Sequence, residues 1–325
     1  MSPEKNTQKA QKSLSIVVPA YNEKDVLPEF HRRLTEVVNE LGMETEIIYI
    51  NDGSLDNTLE VMGLLRESDP RVAILDLSRN FGKEIAMSAG LDVTSGDAVV
   101  IIDADLQDPP ELIPDFIQYW DEGYDSVYAK RLARNGESFL KKGTAFLFYR
   151  VIDRLTGITI PKDSGDFRLL SRRAVDALKQ IREQHRFMKG LFAWIGYPQK
   201  AVFYNRDPRF AGKTKWNYWK LWNFALEGIT SFSIAPLKIS TYMGLFTAFG
   251  ALSYMCYVFI TALIYGDPVR GYPSLMVVIL FLGGVQLISL GMIGEYLGRM
   301  FNETKRRPLY LINEYLPSQK GGHDK

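Results

Sequence analysis

The sequence predicts an α/β domain with a mostly parallel sheet, followed by an interfacial amphipathic helix and two transmembrane helices. Two observations support this fold class. Short apolar runs alternate with helical patterns from residue 13 to about residue 210, which is the rhythm of βαβ units. Further along the chain, the segments 239–265 and 271–294 contain no charged residue. Each is long enough to cross a bilayer, which takes about 20 apolar residues.

The composition excludes several classes of protein. Among 325 residues, 39 Lys and Arg balance 38 Asp and Glu, for a net charge of +1. This argues against nucleic acid as a partner, because nucleic-acid-binding proteins carry a large basic excess. A single cysteine, Cys256, excludes a disulfide framework and a cysteine-based zinc site. Hydrophobic residues make up 46% of the chain, enough for a sizeable core.

Five apolar runs flanked by turn residues are typical of strands buried on both faces. They predict strands at 14–19, 46–50, 72–77, 98–102 and 126–129. Helical patterns lie between them at 25–41, 56–67, 83–94 and 110–120. Ligands bind to an open parallel sheet at the carboxyl ends of its strands, so the residues directly after each run are the candidate site residues.

Polar or acidic segments follow four of these strands, at 19–23, 51–54, 78–83 and 103–108. Asp103 and Asp105 are the strongest signal, because two carboxylates just past a strand can share one hard cation, Mg²⁺ or Mn²⁺. Asp52 is placed to accept a hydrogen bond from a nucleotide base, with turn capping as the alternative. Lys83, after Gly82, is predicted to face phosphates, with an ordinary surface lysine as the alternative.

Flanking charges predict the orientation of the two uncharged segments. Lys238 precedes the first, whereas Arg299 and the basic run 305–307 follow the second. The connector carries Arg270 beside Asp267. Because positive charge favours the cytoplasmic side, both ends of the hairpin, and the soluble domain with them, are predicted to lie in the cytoplasm at the inner membrane. The alternative is a pair of buried core helices.

The segment 213–233 contains Trp216, Trp219 and Trp222, whose spacing puts the indoles along one helical face. An aromatic face beside lysines fits a helix in the headgroup layer, and a core face of the soluble domain is the alternative. Four basic residues here are predicted to hold a lipid phosphate, with plain attraction to anionic headgroups as the alternative: Arg206, Arg209, Lys213 and Lys215.

The predicted organisation has five parts. They are a disordered lead at 1–12, a soluble domain at 13–212, the interfacial helix at 213–233, the hairpin at 234–298 and a cytoplasmic tail at 299–325. The lead has no apolar core, so it is not a signal peptide. Small residues in the second span would allow close helix packing, either within the hairpin or between the subunits of a homo-oligomer.

Four segments resemble glycosyltransferase family 2, whose members have the Rossmann-like GT-A fold. These are VVPAYNE at 17–23, NDGS at 51–54, DAD at 103–105 and SGDFR at 164–168, in the order and spacing of the family. With the hairpin, the chain is similar to the polyprenyl-phosphate glycosyltransferases of that family, a group with bactoprenol glucosyltransferases, aminoarabinose transferases and dolichyl-phosphate mannose synthase. Its 184–188 segment lacks the Gln-x-x-Arg-Trp motif of the processive synthases, which argues against polymer synthesis.

The resemblance implies a role for each matching residue in the donor site. Pro19, Tyr21 and Glu23 would line a nucleotide pocket, Asp52 would bind the base, and Gln107 would lie beside the sugar. Gly82 and Lys83 complete the predicted donor site.

The resemblance also implies the reacting groups. Asp103 and Asp105 would sit at the metal and the diphosphate, and Asp105 is counted with the catalytic residues. Asp166 would be the catalytic carboxylate near the acceptor. A phosphate monoester has a second pKa of about 6, so the acceptor is already a dianion at neutral pH. Asp166 is therefore predicted to orient the sugar or the acceptor, and its role as a base is left open.

The implied reaction is the inverting transfer of a sugar, glucose being favoured, from a UDP-sugar to undecaprenyl phosphate. Transfer of 4-deoxy-4-formamido-arabinose or of mannose is the alternative within the same class. A flippase for a lipid-linked sugar and a catalytically silent scaffold are the alternatives from other classes. Two spans are too few for a transport pathway unless many copies assemble, and the presence of Asp103 and Asp105 argues against a silent scaffold.

Overall fold

The computed structural model describes residues 12–132, 164–204, 235–265 and 271–319. Several predictions fall outside these ranges: nearly all of the lead 1–12 and the whole interfacial helix 213–233. The four residues predicted to bind the acceptor phosphate also lie outside the described residues: Arg206, Arg209, Lys213 and Lys215.

Strands and helices alternate through the N-terminal part of the chain, as predicted. The strands are β1 (Ser13–Ala20), β2 (Glu44–Asn51), β3 (Val72–Leu77), β4 (Ala98–Ile101) and β5 (Ser126–Arg131). The helices are α1 (Leu27–Leu41), α2 (Thr58–Ser68), α3 (Lys83–Val93) and α4 (Ile113–Asp121). The apolar runs thus form strands and the amphipathic patterns form helices, within a few residues of their predicted bounds.

Three further strands, beyond the five predicted, join the same sheet. They are β6 (Ser164–Ser171), β7 (Gln199–Tyr204) and β8 (Ile312–Leu316), and β6 is followed by α5 (Arg172–Gln180) and α6 (Met188–Trp194). The eight described strands form one sheet in the order β7-β5-β6-β4-β1-β2-β3-β8. The central strands β4, β1, β2 and β3 are parallel, whereas β6 is antiparallel to β4 and β5, and β8 is antiparallel to β3.

Helices cover both faces of the sheet. Ile16 and Val18 of β1 pack with residues of α1, α2 and α4, while Val17 between them packs with α3, α5 and α6. Gly90 of α3 lies so close to the sheet that a Cβ there would be 2.5 Å from Val17 Cγ1. This close packing holds α3 against the sheet, with its first residue, Lys83, at the carboxyl ends of the strands.

Two long helices follow in the C-terminal part of the chain. They are α7 (Ala235–Tyr265) and α8 (Tyr272–Thr304), and they contact each other. Both expose large apolar side chains, among them Phe246, Phe249 and Leu287. Among the described residues, one stretch, Phe281–Thr304, is long and apolar enough to cross a membrane, with a mean hydropathy of 1.2.

The region predicted as a tail, 299–325, is bound to the α/β domain at several places, of which two are the strand pairing of β8 and a contact at the end of α8. At the first, β8 pairs with the edge strand β3, and Asn313 Nδ2 donates a 2.7 Å hydrogen bond to Asp76 Oδ2. At the second, the backbone N–H of Gln184 donates to Glu303 Oε1 near the end of α8, at 2.7 Å. The described part of this region is therefore structured, and it continues the sheet of the α/β domain.

Candidate active site

The carboxyl ends of β1, β2 and β4 border a cavity of about 430 Å³. This is the edge at which a parallel sheet binds its ligands. Eight residues predicted to bind the donor or the metal line the cavity: Pro19, Tyr21, Glu23, Asp52, Gly82, Lys83, Asp103 and Asp105. The structure thus brings together four separate loops of the sequence in one site.

Hydrogen bonds hold the loop after β1 against the start of α2. The backbone N–H of Asn22 donates to Ser54 Oγ at 3.0 Å, and the Asn22 side-chain oxygen accepts from the backbone N–H of Leu55 at 2.8 Å. The backbone N–H of Glu23 donates to Thr58 Oγ1 at 2.9 Å. These bonds fix the backbone on both sides of Asn22, and with it the wall of the cavity.

Asp52 anchors the loop that leads into α3. Its two carboxylate oxygens accept hydrogen bonds from the backbone N–H groups of Phe81 and Gly82, at 2.7 and 2.9 Å. Burial raises the pKa of Asp52, and these two donors oppose the shift. Gly53 has a φ of 63° and packs directly on the backbone of Arg79, where a Cβ would overlap it. Gly53 therefore allows the loop before α3 to pack against it. Binding of a nucleotide base by Asp52 stays a prediction.

Pairing of β4 with β6 brings Asp103 and Asp166 together. Ile101 pairs with Arg168, and continuing this antiparallel register by two residues places Asp103 opposite Asp166. The ammonium of Lys83 lies between them, 2.6 Å from Asp103 Oδ2 and 2.5 Å from Asp166 Oδ2. We refer to Lys83, Asp103 and Asp166 as the ionic cluster.

The members of the ionic cluster differ in their electrostatics. Burial raises the pKa of Asp103 to about 6, although Lys83 opposes this shift. Burial would also raise the pKa of Asp166, but Lys83 and Lys189 outweigh it and hold this pKa well below its usual range. Burial lowers the pKa of Lys83, and the two carboxylates raise it by more. Asp166 is therefore firmly ionised at neutral pH.

Asp103 and Asp105 offer carboxylate oxygens to the cavity, the ligand type that Mg²⁺ and Mn²⁺ prefer. Asp105 Oδ1 also accepts from the backbone N–H of Gln107 at 3.1 Å, which orients the carboxylate. Within the described ranges, three or more His, Cys, Asp or Glu side chains do not converge as a metal site. These residues fit a cation held by two protein carboxylates and completed by substrate phosphates.

Gln107 is a predicted site residue that does not line the cavity. It is buried, and its Oε1 has no hydrogen-bond partner within the described part of the chain. The next residue, Asp108, is also buried and accepts a hydrogen bond from the hydroxyl of Tyr204. Arg131 Nε donates to that hydroxyl at 3.4 Å. The loop after β4 is thus tied to the ends of β5 and β7.

Glu84, the neighbour of Lys83, is a site residue that none of the sequence motifs indicates. Its Oε2 accepts from the backbone N–H of Met188, the first residue of α6, at 2.9 Å. Burial, and then the charge of Asp166, raise the pKa of Glu84 to about 7. Adjacency to Lys83 is the only signal that the sequence offers, because the contact depends on how α6 packs on α3.

Arg168 follows Asp166 by two residues in the SGDFR motif, but the cation that contacts Asp166 is Lys83. The Arg168 side chain is fully buried, with its guanidinium carbon 3.7 Å from the ring centroid of Phe192. Burial lowers the pKa of Arg168 to about 10. The side chain therefore stacks within the core behind the site.

Family models match both parts of the chain. Residues 15–179 match the model described as glycosyl transferase family 2, and residues 235–300 match the model described as GtrB C-terminal hairpin. These matches confirm the resemblance recognised in the sequence motifs.

Curated relatives match nearly the whole chain. An uncharacterised glycosyltransferase of Synechocystis is 56% identical over 312 residues, covering 94% of this chain and 98% of the relative. The bactoprenol glucosyl transferase of Shigella phage SfX is 50% identical over 299 residues, covering 92% and 98%. A prophage bactoprenol glucosyl transferase homologue of Escherichia coli K12 is 48% identical, with the same coverage.

Solved structures resemble the catalytic part more distantly. Glucosyl-3-phosphoglycerate synthase from Mycobacterium tuberculosis, in complex with Mn²⁺, UDP and phosphoglyceric acid, is 20% identical. The similarity covers 68% of this chain and 78% of that one, with a TM-score of 0.48.

Proposed function

We propose, since this chain belongs to glycosyltransferase family 2, that it transfers glucose from UDP-glucose to undecaprenyl phosphate at the membrane surface. The observation that carries the proposal is the ionic cluster at the edge of a cavity lined by eight residues predicted to bind the donor or the metal. Relatives about half identical to nearly the whole chain carry the name bactoprenol glucosyl transferase, which favours glucose and a polyprenyl phosphate over other sugars and acceptors.

The donor would lie across the cavity. Pro19, Tyr21 and Glu23 would contact the nucleoside, and Asp52 would accept from the base while it holds the loop before α3. Gly82 and Lys83 would face the phosphates, and Gln107 would support the sugar side of the site. This arrangement is supported by the position of the cavity at the carboxyl edge of the sheet.

Asp103 and Asp105 would hold Mg²⁺ or Mn²⁺ together with the donor diphosphate. Bound there, the cation would act as a Lewis acid toward the departing diphosphate. Asp105 counts among the catalytic residues for this reason. The ammonium of Lys83 adds a second positive group beside the same phosphates, from the N-terminus of α3.

In the proposed reaction, an oxygen of the acceptor phosphate forms a bond to the anomeric carbon. The bond from that carbon to the UDP oxygen breaks, and UDP leaves with the electron pair. One direct displacement inverts the configuration, so an α-linked donor gives a β-linked product. The acceptor is largely a dianion at neutral pH and has little proton to lose. Asp166, with its lowered pKa, is a weak base and would orient the acceptor and Lys83.

The acceptor lipid explains the hairpin. Each buried CH₂ is worth about 0.8 kcal/mol, so a polyprenyl chain stays in the bilayer and the enzyme must come to it. Helices of 31 and 33 residues are about 46 and 50 Å long at about 1.5 Å per residue, enough to cross the hydrocarbon layer. We infer a two-span inner-membrane protein whose catalytic domain and termini are cytoplasmic.

The hydrogen bond from Gln184 to Glu303 supports this topology. It ties the C-terminal end of α8 to the catalytic domain, so both lie on the same side of the membrane. Lys305, Arg306 and Arg307 follow that end, and their charge favours the cytoplasm. Arg206, Arg209, Lys213 and Lys215 are proposed to hold the lipid phosphate on this side. Assembly into a homo-oligomer stays a prediction from the glycines of α8.

Transfer of labelled glucose from UDP-glucose into organic-extractable lipid tests the proposal. Full-length protein in detergent is mixed with undecaprenyl phosphate and Mn²⁺ or Mg²⁺, with UDP-4-deoxy-4-formamido-arabinose and GDP-mannose as parallel donors. We expect transfer from UDP-glucose, its loss on chelation of the metal, and its loss in Asp105→Ala. Asp115→Ala, at an exposed site on α4, is the matched control. Preference for another donor, or full turnover by Asp105→Ala, overturns the proposal.

A further inference from the structure

The ammonium of Lys83 contacts a carboxylate that the proposed cation also needs. Lys83 Nζ lies 2.6 Å from Asp103 Oδ2, and Asp103 is one of the two proposed metal ligands. The same ammonium lies 2.5 Å from Asp166 Oδ2. Lys83 is thus shared between a proposed metal ligand and the carboxylate expected beside the acceptor.

We propose that Lys83 competes with the divalent cation for Asp103, so that cation binding passes Lys83 to Asp166 and to the phosphates of the donor. This inference rests on the proposed function for the identity of the donor, but not for the competition itself. Lys83 is therefore a positioning residue. When no divalent cation is bound, its ammonium takes the place of that cation beside Asp103.

Charge and geometry make it unfavourable for Lys83 and a divalent cation to contact Asp103 at the same time. A dication on Asp103 and an ammonium within hydrogen-bond distance of the same carboxylate repel each other strongly at such short range. The lysine side chain is flexible, with a charge at the end of a four-carbon stem, so its ammonium can leave one carboxylate while keeping the other. The Asp103 side chain is 26% exposed, whereas that of Asp166 is 11% exposed. Asp166 is therefore the fixed partner and Asp103 the exchangeable one.

When no divalent cation is bound, the contact of Lys83 with both carboxylates stabilises the site. Asp103 and Asp166 lie opposite each other on neighbouring strands, so their like charges repel each other. Lys83 offsets that repulsion when no cation is bound. A donor diphosphate supplies new oxygen ligands for both cations, so the cation and the nucleotide are expected to bind cooperatively, with Lys83 as the coupling group.

Binding of Mn²⁺ without turnover tests the inference. Free Mn²⁺ is titrated by electron paramagnetic resonance against full-length protein in detergent, with and without UDP. We expect Lys83→Met to bind Mn²⁺ about tenfold more tightly than the wild type in the absence of UDP, since the competing ammonium is gone. We also expect UDP to improve Mn²⁺ affinity about tenfold in the wild type and less than that in Lys83→Met.

Lys189→Met is the matched control. Lys189 acts on Asp166 through its charge, so its removal reports the general effect of deleting a nearby positive charge. We expect its effect on Mn²⁺ affinity to be several times smaller than that of Lys83→Met. Equal effects of the two substitutions would show a general charge effect and overturn the competition.

A second variant keeps the test decisive if the apolar side chain disturbs folding. Lys83→Gln retains a donor for both carboxylates without the charge, and we expect it to tighten Mn²⁺ binding in the same direction. Unchanged or weaker Mn²⁺ affinity in a folded Lys83 variant overturns the inference, as does wild-type Mn²⁺ affinity in Asp103→Asn. Neither readout needs sugar transfer, so failure of the glucose assay and failure of this inference are separate results.

Discussion

The carboxylate of Glu84 accepts a hydrogen bond from the backbone N–H of Met188, with 2.9 Å between Oε2 and nitrogen. This bond joins the first turn of α3 to the first residue of α6. One turn further along α3, the hydroxyl of Ser88 lies 3.8 Å from the sulfur of Met188. Because Lys83 directly precedes Glu84, the contact between the two helices also positions the ionic cluster.

Glu84→Gln is expected to change how stability depends on pH. The pKa of Glu84 is raised from 4.5 to about 7 in the folded protein. The unfolded chain therefore loses this proton first as pH rises, and the folded state loses stability between about pH 4.5 and pH 7. Glutamine keeps an acceptor for Met188 without the ionisation. The melting temperature of the variant, relative to the wild type, should rise across this interval and stay level above it.

Thermal unfolding in detergent from pH 5 to pH 8.5 measures this difference. Glu36→Gln, at an exposed position on α1, is the control and should follow the wild-type profile. A constant offset between Glu84→Gln and the wild type at every pH would contradict the expected ionisation behaviour.

Asp52→Ala is expected to loosen the loop before α3. The substitution removes the acceptor of two backbone N–H groups, those of Phe81 and Gly82, at a cost of about 1–3 kcal/mol. Asp52→Asn keeps one acceptor oxygen and should fall between the wild type and the alanine variant. The free energy of unfolding and the affinity for UDP, measured on the same samples, should decline in parallel. Normal stability in Asp52→Ala would contradict the anchoring role.

Asp166→Asn separates orientation from base catalysis. We expect kcat to fall about 100-fold at every pH from 6 to 9, because a misplaced reactant costs about that much. UDP-glucose affinity should fall much less than kcat, since the asparagine oxygen can still accept from Lys83 and the other donor contacts are on other loops. Recovery of kcat at high pH would instead assign Asp166 to proton removal. The profile of kcat against pH, measured with saturating acceptor, decides between the two.

Asn313→Ala is expected to destabilise the catalytic part of the protein. It removes the hydrogen bond that β8 donates to the buried Asp76, whose other oxygen accepts from Asn51 Nδ2 at 2.7 Å. An unpaired buried acceptor costs about 1–3 kcal/mol. Glu314→Ala, at the next and exposed position of β8, is the control. Equal melting temperatures for the two variants would show that the Asp76 contact contributes nothing.

The predicted part of the fold is the part encoded locally. The strands β1 to β5 and the helices α1 to α4 follow from runs and periodicities that a window of a dozen residues contains. The segment of β6 stands out in the sequence as a motif and is not predicted as a strand, because its place depends on antiparallel pairing with β4 and β5. β8 is still harder to predict from the sequence, since most of its residues are exposed and its partner, β3, lies more than 200 residues away.

In the site, too, the features encoded locally can be predicted and those that depend on distant contacts cannot. The sequence predicts which loops meet, because the carboxyl ends of parallel strands share one edge. It does not predict that Lys83 bridges Asp103 and Asp166, since that contact needs the register of β4 with β6 and the position of α3 over the sheet. The role of Glu84 cannot be predicted from the sequence for a similar reason, because its partner is a backbone group about one hundred residues distant.

The short link between α8 and β8 limits where the catalytic edge can stand. Residues 305–311 join Thr304 to Ile312, and a fully extended link of that length reaches at most about 28 Å. The hydrogen bond from Gln184 to Glu303 further restricts how far the catalytic domain can move from the end of α8. For a hairpin inserted as proposed, the opening of the site is thus kept at a nearly constant height above the leaflet. A phosphate carried at headgroup depth meets that opening on every encounter, whereas a freely diffusing phosphate of the same chemistry has to find it in three dimensions.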